Sequence, residues 1–386
     1  MSSQTPVPAG FRGVAGNIGI KDPQDDFFAV VSEVPASVSA VFTRSRFAGP
    51  SVLLSRRAAA DGRARGVTVI ARNANVATGR IGDDYAREVQ ERVARAAGVA
   101  PEEILVASTG VIGRPYPMDK VRAHLDSLPA EFPPADLDRA AAAMMTTDTR
   151  PKTASAKVGG ATVTGIAKGV GMIEPNMATM LAWFFTDADL ERSELDEVFR
   201  RVVDRTFNAL SIDTDTSTSD SAAVFANGLA GPVDVAAFEA ALHEVALKLV
   251  RMIASDGEGA SKLIEVRVSG ARDDAQAKRV AKAVVNSPLV KTAVHGADPN
   301  WGRVTMAVGK CEEETDILPE RVRISFGDVE TYPAESTDEV LERAAQHMKG
   351  DEVVIGVDLG IADGAFTVYG CDLTEGYIRI NADYTT

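Results

Sequence analysis

The stretch Lys168-Gly-Val-Gly-Met-Ile-Glu-Pro-Asn-Met-Ala-Thr-Met-Leu181 determines how the rest of the chain is interpreted. In it, Thr179 follows the small residue Ala178 and precedes the apolar run 180–185. A threonine at a new amino terminus carries nucleophile and base in one residue, because its free α-amine can take the hydroxyl proton. The stretch therefore predicts an acyl-transfer enzyme that cleaves itself before Thr179. The alternative is an ordinary buried threonine at the start of a strand.

The composition of the 386-residue chain excludes several classes of protein. It is 45% hydrophobic and 25% charged, which is typical of a globular protein with a large core. The formal net charge of -14 makes a nucleic-acid partner unfavourable. No apolar run approaches the roughly 18 residues of a membrane span, and the first ten residues do not resemble a signal peptide. We expect a cytoplasmic protein with no membrane partner.

The hydrophobic pattern predicts helices mixed with strands. Helices are predicted at 85–97, which Gly98 would end, and at 120–128, 135–145, 192–207, 238–254 and 273–285. Strands are predicted at 66–71, 104–107, 263–268, 321–326, 352–359, 365–369 and 377–380. This order lacks a strict β-α alternation and favours an α+β or layered α/β sandwich. The only boundary proposed is covalent, between fragments 1–178 and 179–386.

Motifs of other catalytic classes are missing from the sequence. There is no Gly-x-Ser-x-Gly, no His-Glu-x-x-His and no phosphate-binding Gly-x-x-x-x-Gly-Lys-Ser/Thr motif. Three of the four histidines lie in helical patterns, and only His295 lies in a polar loop where a local role is plausible. No coenzyme motif is visible. We therefore expect no cofactor.

The segment 213–220 resembles the opening of a calcium-binding loop. It lacks the central glycine of such loops, and its twelfth position is Val224 instead of glutamate. We favour a hydroxyl-rich loop that lines a polar cavity, and we expect no metal.

Four further residues carry groups suited to acyl transfer. Thr109 and Gly110 follow the end of a predicted strand and offer a hydroxyl and a backbone amide to an oxyanion. Lys168 lies between small residues, and Glu258 lies between two glycines, where it can hold a substrate ammonium. Each also has a plain interpretation, as a turn or as a solvated side chain.

Several segments, in the same order, resemble the ornithine acetyltransferase (glutamate N-acetyltransferase) family. They are 108–113, Met145-Thr-Thr-Asp-Thr149, the Thr179 stretch, Asp256-Gly-Glu-Gly-Ala260, 295–303 and 381–386. Segments 40–50, 71–79 and 211–220 are similar to members associated with clavulanic-acid biosynthesis. Many arginine-pathway members have Ser-Gly-Asn-Ala-Asn where this chain has Ala71-Arg-Asn-Ala-Asn75. Both pathways therefore remain open.

The resemblance implies a fold and a set of roles. The fold is a layered αββα-type sandwich whose two fragments, two α and two β, associate as a heterotetramer. Thr179 matches the nucleophile, the Ala178–Thr179 bond matches the cleavage site, and Thr109 and Gly110 match the oxyanion pair. The positions that match substrate contacts are Thr146, Lys168, Thr179, Glu258, Asn381 and Thr386.

The implied reaction moves acetyl from N2-acetyl-L-ornithine to L-glutamate through an acetyl-threonine. One rival is a self-processing amidohydrolase or aminopeptidase that passes the acyl group to water. Another is a non-catalytic protein of the same fold. Use of acetyl-CoA as a further acetyl donor also remains open.

Overall fold

Fourteen strands and eleven helices are present in the computed structural model of the protein, which describes residues 4–20, 23–174, 180–333 and 336–383. The strands are β1 (Phe11–Gly16), β2 (Phe27–Ser32), β3 (Ser37–Phe42), β4 (Gly66–Ile70), β5 (Ile104–Ser108), β6 (Lys152–Val158), β7 (Ala161–Lys168), β8 (Leu181–Asp189), β9 (Ser221–Pro232), β10 (Leu263–Ala271), β11 (Arg323–Phe326), β12 (Val329–Tyr332), β13 (Glu352–Asp358) and β14 (Gly364–Cys371). The helices are α1 (Pro50–Ala58), α2 (Arg80–Ala97), α3 (Met118–Asp126), α4 (Leu137–Ala143), α5 (Arg192–Arg205), α6 (Val235–Ser255), α7 (Asp274–Val285), α8 (Pro288–His295), α9 (Trp301–Gly309), α10 (Asp338–Met348) and α11 (Glu375–Asp383).

The strands form three sheets. The first has the order β1-β2-β4-β5, and the second has the order β3-β9-β8-β7-β6. The third sheet has the order β12-β11-β13-β10-β14. In the second sheet β8 is hydrogen-bonded to β7 as an antiparallel neighbour and to β9 as a parallel one. The central position of β8 explains why its sequence is almost entirely apolar.

Side chains of β8 alternate between two cores. Trp183 and Phe185 pack against residues of the first sheet, including Phe28. Phe184, on the opposite face, packs in the core that contains α5 and α6. This period of two is what a strand covered on both faces requires.

Helices close the outer faces of the two stacked sheets. Val93 of α2 and Val121 of α3 cover the outer face of the first sheet. On the other side, α5 and α6 cover the second sheet, and the third sheet with α7 continues the same core. The layers therefore run helix, sheet, sheet, helix, which confirms the predicted αββα sandwich.

Most predicted elements overlap observed ones, and one prediction is wrong. The segment 377–380 is not a strand but part of α11. Its apolar residues Tyr377, Ile378 and Ile380 suggested strand propensity, yet no residue of α11 is buried and no sheet edge receives it. The Thr374 hydroxyl accepts the Gly376 N–H at 2.9 Å and so caps the start of this helix.

No helix in the described ranges combines the length and the apolar character needed to cross a bilayer. Cys311 and Cys371 are both free thiols, and Cys371 is buried.

Candidate active site

A cavity of about 150 Å³ lies where β5, β7 and the chain entering β8 meet. Its lining includes the six predicted site residues that fall within the described ranges, namely Thr109, Gly110, Thr146, Lys168, Glu258 and Asn381. The predicted nucleophile Thr179, its neighbour Ala178 and the terminal Thr386 lie outside the described residues. Met180, which follows Thr179 in sequence, lines the same cavity.

Thr109 and Gly110 follow directly after β5. The Thr109 N–H donates to the Ile70 carbonyl at 3.1 Å, so its hydroxyl is the group left for a ligand. Gly110 has φ +125°, and an added Cβ would lie 2.3 Å from the carbonyl carbon of Arg72. Only glycine fits there. Within the ranges that the structure describes, the Gly110 N–H makes no hydrogen bond and can act as a donor.

Lys168 is the last residue of β7, opposite Leu181 of β8. Its ammonium group donates to the hydroxyl oxygens of Thr109, at 3.1 Å, and Thr146, at 2.9 Å. Because an ammonium group has no acceptor, both hydroxyls must accept, and each keeps its own O–H to donate elsewhere. The charged lysine therefore leaves the Thr109 O–H available as a donor to a ligand.

The Lys168 ammonium lies in a mixed electrostatic environment. Burial lowers the pKa of Lys168, and the nearby Lys152 ammonium lowers it further. The carboxylates of Asp148, Asp220 and Glu258 act in the opposite direction. The protonation of this lysine therefore depends on carboxylates that surround the cavity.

Glu258 supplies a negative charge to the cavity, whose lining also includes Asp220. Glu258 Oε1 accepts the Thr147 hydroxyl at 2.8 Å, and its Oε2 accepts the Asn381 amide at 2.9 Å. Its backbone N–H donates to the Val170 carbonyl at 2.8 Å. A Cβ on Gly171 would lie 2.3 Å from Glu258 Oε2, so the glycine permits the carboxylate to approach the chain this closely.

A hydroxyl-rich loop forms another wall of the cavity, through Ser217, Thr218 and Ser219. Asp213, at the start of this loop, accepts the N–H groups of Met172 at 2.6 Å and Ile173 at 2.7 Å. Its carboxylate thus anchors the backbone in the manner of a turn residue. Over the described ranges, no grouping of three or more His, Cys, Asp or Glu side chains is arranged to hold a metal ion. The structure agrees with the predicted polar wall.

Comparison with known proteins identifies the family. The ArgJ family matches residues 12–386. The chain belongs to the ArgJ family. It is 65% identical to glutamate N-acetyltransferase Oat2 of Streptomyces clavuligerus, with 100% of each chain covered. It is 55% identical to the arginine biosynthesis bifunctional protein ArgJ of Rhodococcoides fascians, covering 98% of this chain and 94% of the relative.

Solved structures of ArgJ-family proteins are also similar to the chain. The arginine biosynthesis bifunctional protein ArgJ of Bacillus halodurans is 41% identical, with 53% of this chain and 100% of that chain covered and a TM-score of 0.49. An ornithine acetyltransferase of Mycobacterium tuberculosis complexed with ornithine is 34% identical, with 46% and 98% covered and a TM-score of 0.41. The predicted family is confirmed by the family match, and the Streptomyces similarity agrees with the predicted subgroup.

The site also contains a residue that the sequence motifs did not indicate. Thr147 was not singled out, although it hydrogen-bonds Glu258. The sequence signal for this pair is the matching spacing of Thr147 and Thr149 with Asp256 and Glu258. Thr149 hydrogen-bonds Asp256 just as Thr147 hydrogen-bonds Glu258. Two alternating threonines thus contact two alternating carboxylates.

His295, the one histidine considered for a local role, is at the end of α8 in this ArgJ chain. Its Nδ1 lies 3.0 Å from Asp372 Oδ2, and its side chain is half exposed. It is not among the residues that line the cavity.

Proposed function

We propose that the chain is a glutamate N-acetyltransferase that moves acetyl from N2-acetyl-L-ornithine to L-glutamate. The observation that carries this proposal is a single cavity lined by a cation, Lys168, an anion, Glu258, and the donor pair Thr109 and Gly110. Ornithine has a cationic side chain and glutamate an anionic one, while both carry an α-carboxylate and an α-nitrogen. A pocket with charges of both signs suits both substrates in turn.

The enzyme first matures by cutting itself. The Thr179 hydroxyl attacks the Ala178 carbonyl, and water hydrolyses the resulting ester to give fragments 1–178 and 179–386. The freed α-amine of Thr179 is then the local base. The α-amino group of a chain has a reference pKa of about 7.7 to 8.0, so it is partly neutral near pH 7. Supporting this, Met180 lines the cavity and its carbonyl accepts the Ser221 N–H at 3.0 Å, which fixes the chain where it enters β8.

Acetyl transfer then proceeds in two half-reactions. The amide carbonyl of acetylornithine accepts hydrogen bonds from the Thr109 hydroxyl and the Gly110 N–H, and the Thr179 oxygen attacks it. The C–N bond breaks, ornithine leaves with a proton from the Thr179 ammonium, and an acetyl-threonine ester remains. The glutamate α-amine attacks this ester and the C–O bond to Thr179 breaks. The Thr179 α-amine takes the proton from the glutamate nitrogen and returns it to the threonine oxygen, so that N-acetylglutamate leaves. Each oxyanion donor is worth about 10²–10³ in kcat.

The remaining predicted contacts complete the pocket. Thr146, Asn381 and Thr386 bind the substrate beside Lys168, Glu258 and Thr179. In support, the Lys168 ammonium reaches Thr146 and the Asn381 amide reaches Glu258.

The cut fragments assemble in the cytoplasm as two α and two β chains. The family resemblance supports this assembly, and the biosynthetic role that the names of relatives give them supports the location. Names of relatives support a role in arginine biosynthesis. The likeness of 40–50 and 211–220 to clavulanate-associated members supports a specialised pathway as a second candidate.

Intact mass and product analysis test the proposal together. The wild-type protein should give two masses, which match fragments 1–178 and 179–386 from a single cut between Ala178 and Thr179. The Thr179→Ala variant should give one mass and show no acetyl transfer. Thr292→Ala, a matched control at an exposed threonine on α8, should behave as wild type. Two fragments from Thr179→Ala would refute the cleavage mechanism. Free acetate in place of N-acetylglutamate would favour the hydrolase.

A further inference from the structure

A buried ionic cluster lies behind the cavity and is not part of its lining. The Lys152 ammonium is 2.7 Å from Asp148 Oδ1 and 2.6 Å from Asp256 Oδ2. The side chains of Lys152 and Asp148 are fully buried, and that of Asp256 is 4% exposed. Burying three ionised groups is costly even when they are paired. A cluster that is costly to bury can be retained because it contributes to the adjacent cavity.

Hydrogen bonds connect one member of the cluster, Asp148, to the Lys168 site. Asp148 Oδ1 accepts the N–H of Gly169, the residue after Lys168, at 2.8 Å. Its Oδ2 accepts the Thr146 N–H at 3.2 Å. One carboxylate thus ties together the two backbone segments whose side chains meet at the Lys168 ammonium.

Asp256 makes different connections, although it shares the same lysine. Its carboxylate accepts the Thr149 N–H at 3.2 Å and the Thr149 hydroxyl. It ties Thr149 to the segment that precedes Glu258, and among the described residues it makes no hydrogen bond to Lys168 or Gly169. The two aspartates therefore have similar burial and the same ionic partner, but only one supports Lys168.

We propose that Asp148 is a positioning residue for acetyl transfer, which holds the Lys168 ammonium against the Thr109 and Thr146 hydroxyls so that the Thr109 O–H stays directed to the substrate oxyanion. The proposal rests on the transferase function above. A neutral lysine amine has a lone pair and can accept the Thr109 hydroxyl, which would withdraw that donor from the oxyanion. Loss of the Lys168 proton should therefore end catalysis on the alkaline side.

The charges around Lys168 determine in which direction its pKa should shift when Asp148 is removed. Burial lowers the pKa of Lys168, and Asp148 is the foremost of the three carboxylates that oppose the effect, with Asp220 and Glu258 next. Burial would raise the pKa of Asp148, yet Lys168, Lys152 and the Gly169 N–H together hold it below its usual value. Asp148 is therefore ionised across the working range, and its removal should let Lys168 lose its proton at lower pH.

The pH profile of kcat/KM for acetyl transfer tests the proposal. The acid limb reports the Thr179 α-amine, and the alkaline limb reports Lys168. In Asp148→Asn the alkaline limb should move down by about 1–3 pH units, as expected on removal of a nearby opposite charge. Asp256→Asn, which removes the other carboxylate from Lys152, should leave the alkaline limb where it is in wild type. Rates are normalised to the cleaved fraction from the intact mass.

Several results would overturn the inference. An unmoved alkaline limb in Asp148→Asn would do so, and so would an equal shift in Asp256→Asn, because a merely structural role moves both alike. If Asp148→Asn does not fold, Asp148→Glu keeps the charge and should retain the alkaline limb, but displacement of the Lys168 turn should lower kcat by about tenfold or more. A wild-type kcat in Asp148→Glu would contradict the positioning role. A wild-type protein that is uncut and makes no N-acetylglutamate overturns the transferase function itself, whereas an active wild type with unmoved limbs overturns only Asp148.

Discussion

Replacing Gly171 by alanine tests whether the position of Glu258 determines catalysis. Gly171 does not lie in the left-handed region, so alanine adds no backbone strain. The new Cβ would lie 2.3 Å from Glu258 Oε2 and 2.5 Å from its Cδ, whereas ordinary contact begins at 3.4 Å. The carboxylate must therefore retreat by about 1 Å, and a displacement of that size in an active site costs about 10²-fold in rate.

The same retreat disturbs both hydrogen bonds of Glu258, to Thr147 and to Asn381. Hydrogen bonds to charged groups contribute about 1.5–3 kcal/mol each to folding stability, so weakening these two should also destabilise the fold. Because the clash is with the flexible end of a side chain, the backbone can stay in place, and the thermal unfolding temperature should fall only modestly.

Steady-state kcat and KM, measured with acetylornithine and glutamate, are the assay. Gly309→Ala is the matched control, because its Cβ meets nothing within 4 Å and it lies in α9 away from the cavity. Glu258→Asp shortens the side chain by one methylene and should be less harmful in the Gly171→Ala background than in wild type. Wild-type kinetics for Gly171→Ala, or strictly additive effects in this double-mutant cycle, would refute the reasoning.

Two further predictions concern stability. Hydrogen bonds from Arg279, Arg272 and Gln276 outweigh desolvation and lower the pKa of Glu314 from its ordinary value of 4.5 to about 2. A depressed carboxyl pKa stabilises the fold above pH 4.5, and this stabilisation is lost as the pH falls toward 2. The thermal midpoint should therefore decrease across that window, and Glu314→Gln should lower it at neutral pH and flatten the decrease; an unchanged slope would contradict this. Phe184 is fully buried with Phe199 and Phe207 edge-on at 6.0 and 5.9 Å, so Phe184→Ala should cost about 3–5 kcal/mol in urea unfolding, and a loss below about 1 kcal/mol would show that the core closes over the gap.

Sequence predicted the fold well where local signals agree with burial. The helix at 85–97 ends as predicted, because Gly98 adopts φ +69° and caps α2 with its N–H. The predicted buried strand at 66–71 corresponds to β4, which is buried along its whole length. In the helix and in the strand alike, the local sequence pattern reflects the burial and the backbone conformation of each residue.

Prediction failed where the environment is set by distant parts of the chain. The segment 377–380 is β-branched and aromatic, yet it is an exposed helix attached at its start. The hairpin of β6 and β7 was not predicted, although Gly159-Gly160 between two alternating segments is a known turn signal. The two glycines were therefore sufficient to predict this hairpin from the sequence.

The candidate site shows the same division. Motifs indicated Lys168 and Glu258, and the structure brings both to one cavity. Lys152 was not singled out, because nothing in the sequence reveals that Asp256 lies 2.6 Å from it. A buried ion pair between residues 104 positions apart depends on tertiary structure alone.

The arrangement around the proposed cut explains how a chain divided there can keep its active site. Lys168 of β7 stays opposite Leu181 of β8, one residue from each side of the cut. The ion pair of Lys152 with Asp256 also joins the two sides, within the core. Because β8 is covered on both faces and paired along both edges, cleavage before it exposes no apolar layer. The free energy that holds the fragments together is therefore the packing of the sandwich itself, and self-cleavage can release an α-amine while the core around the cavity remains in place.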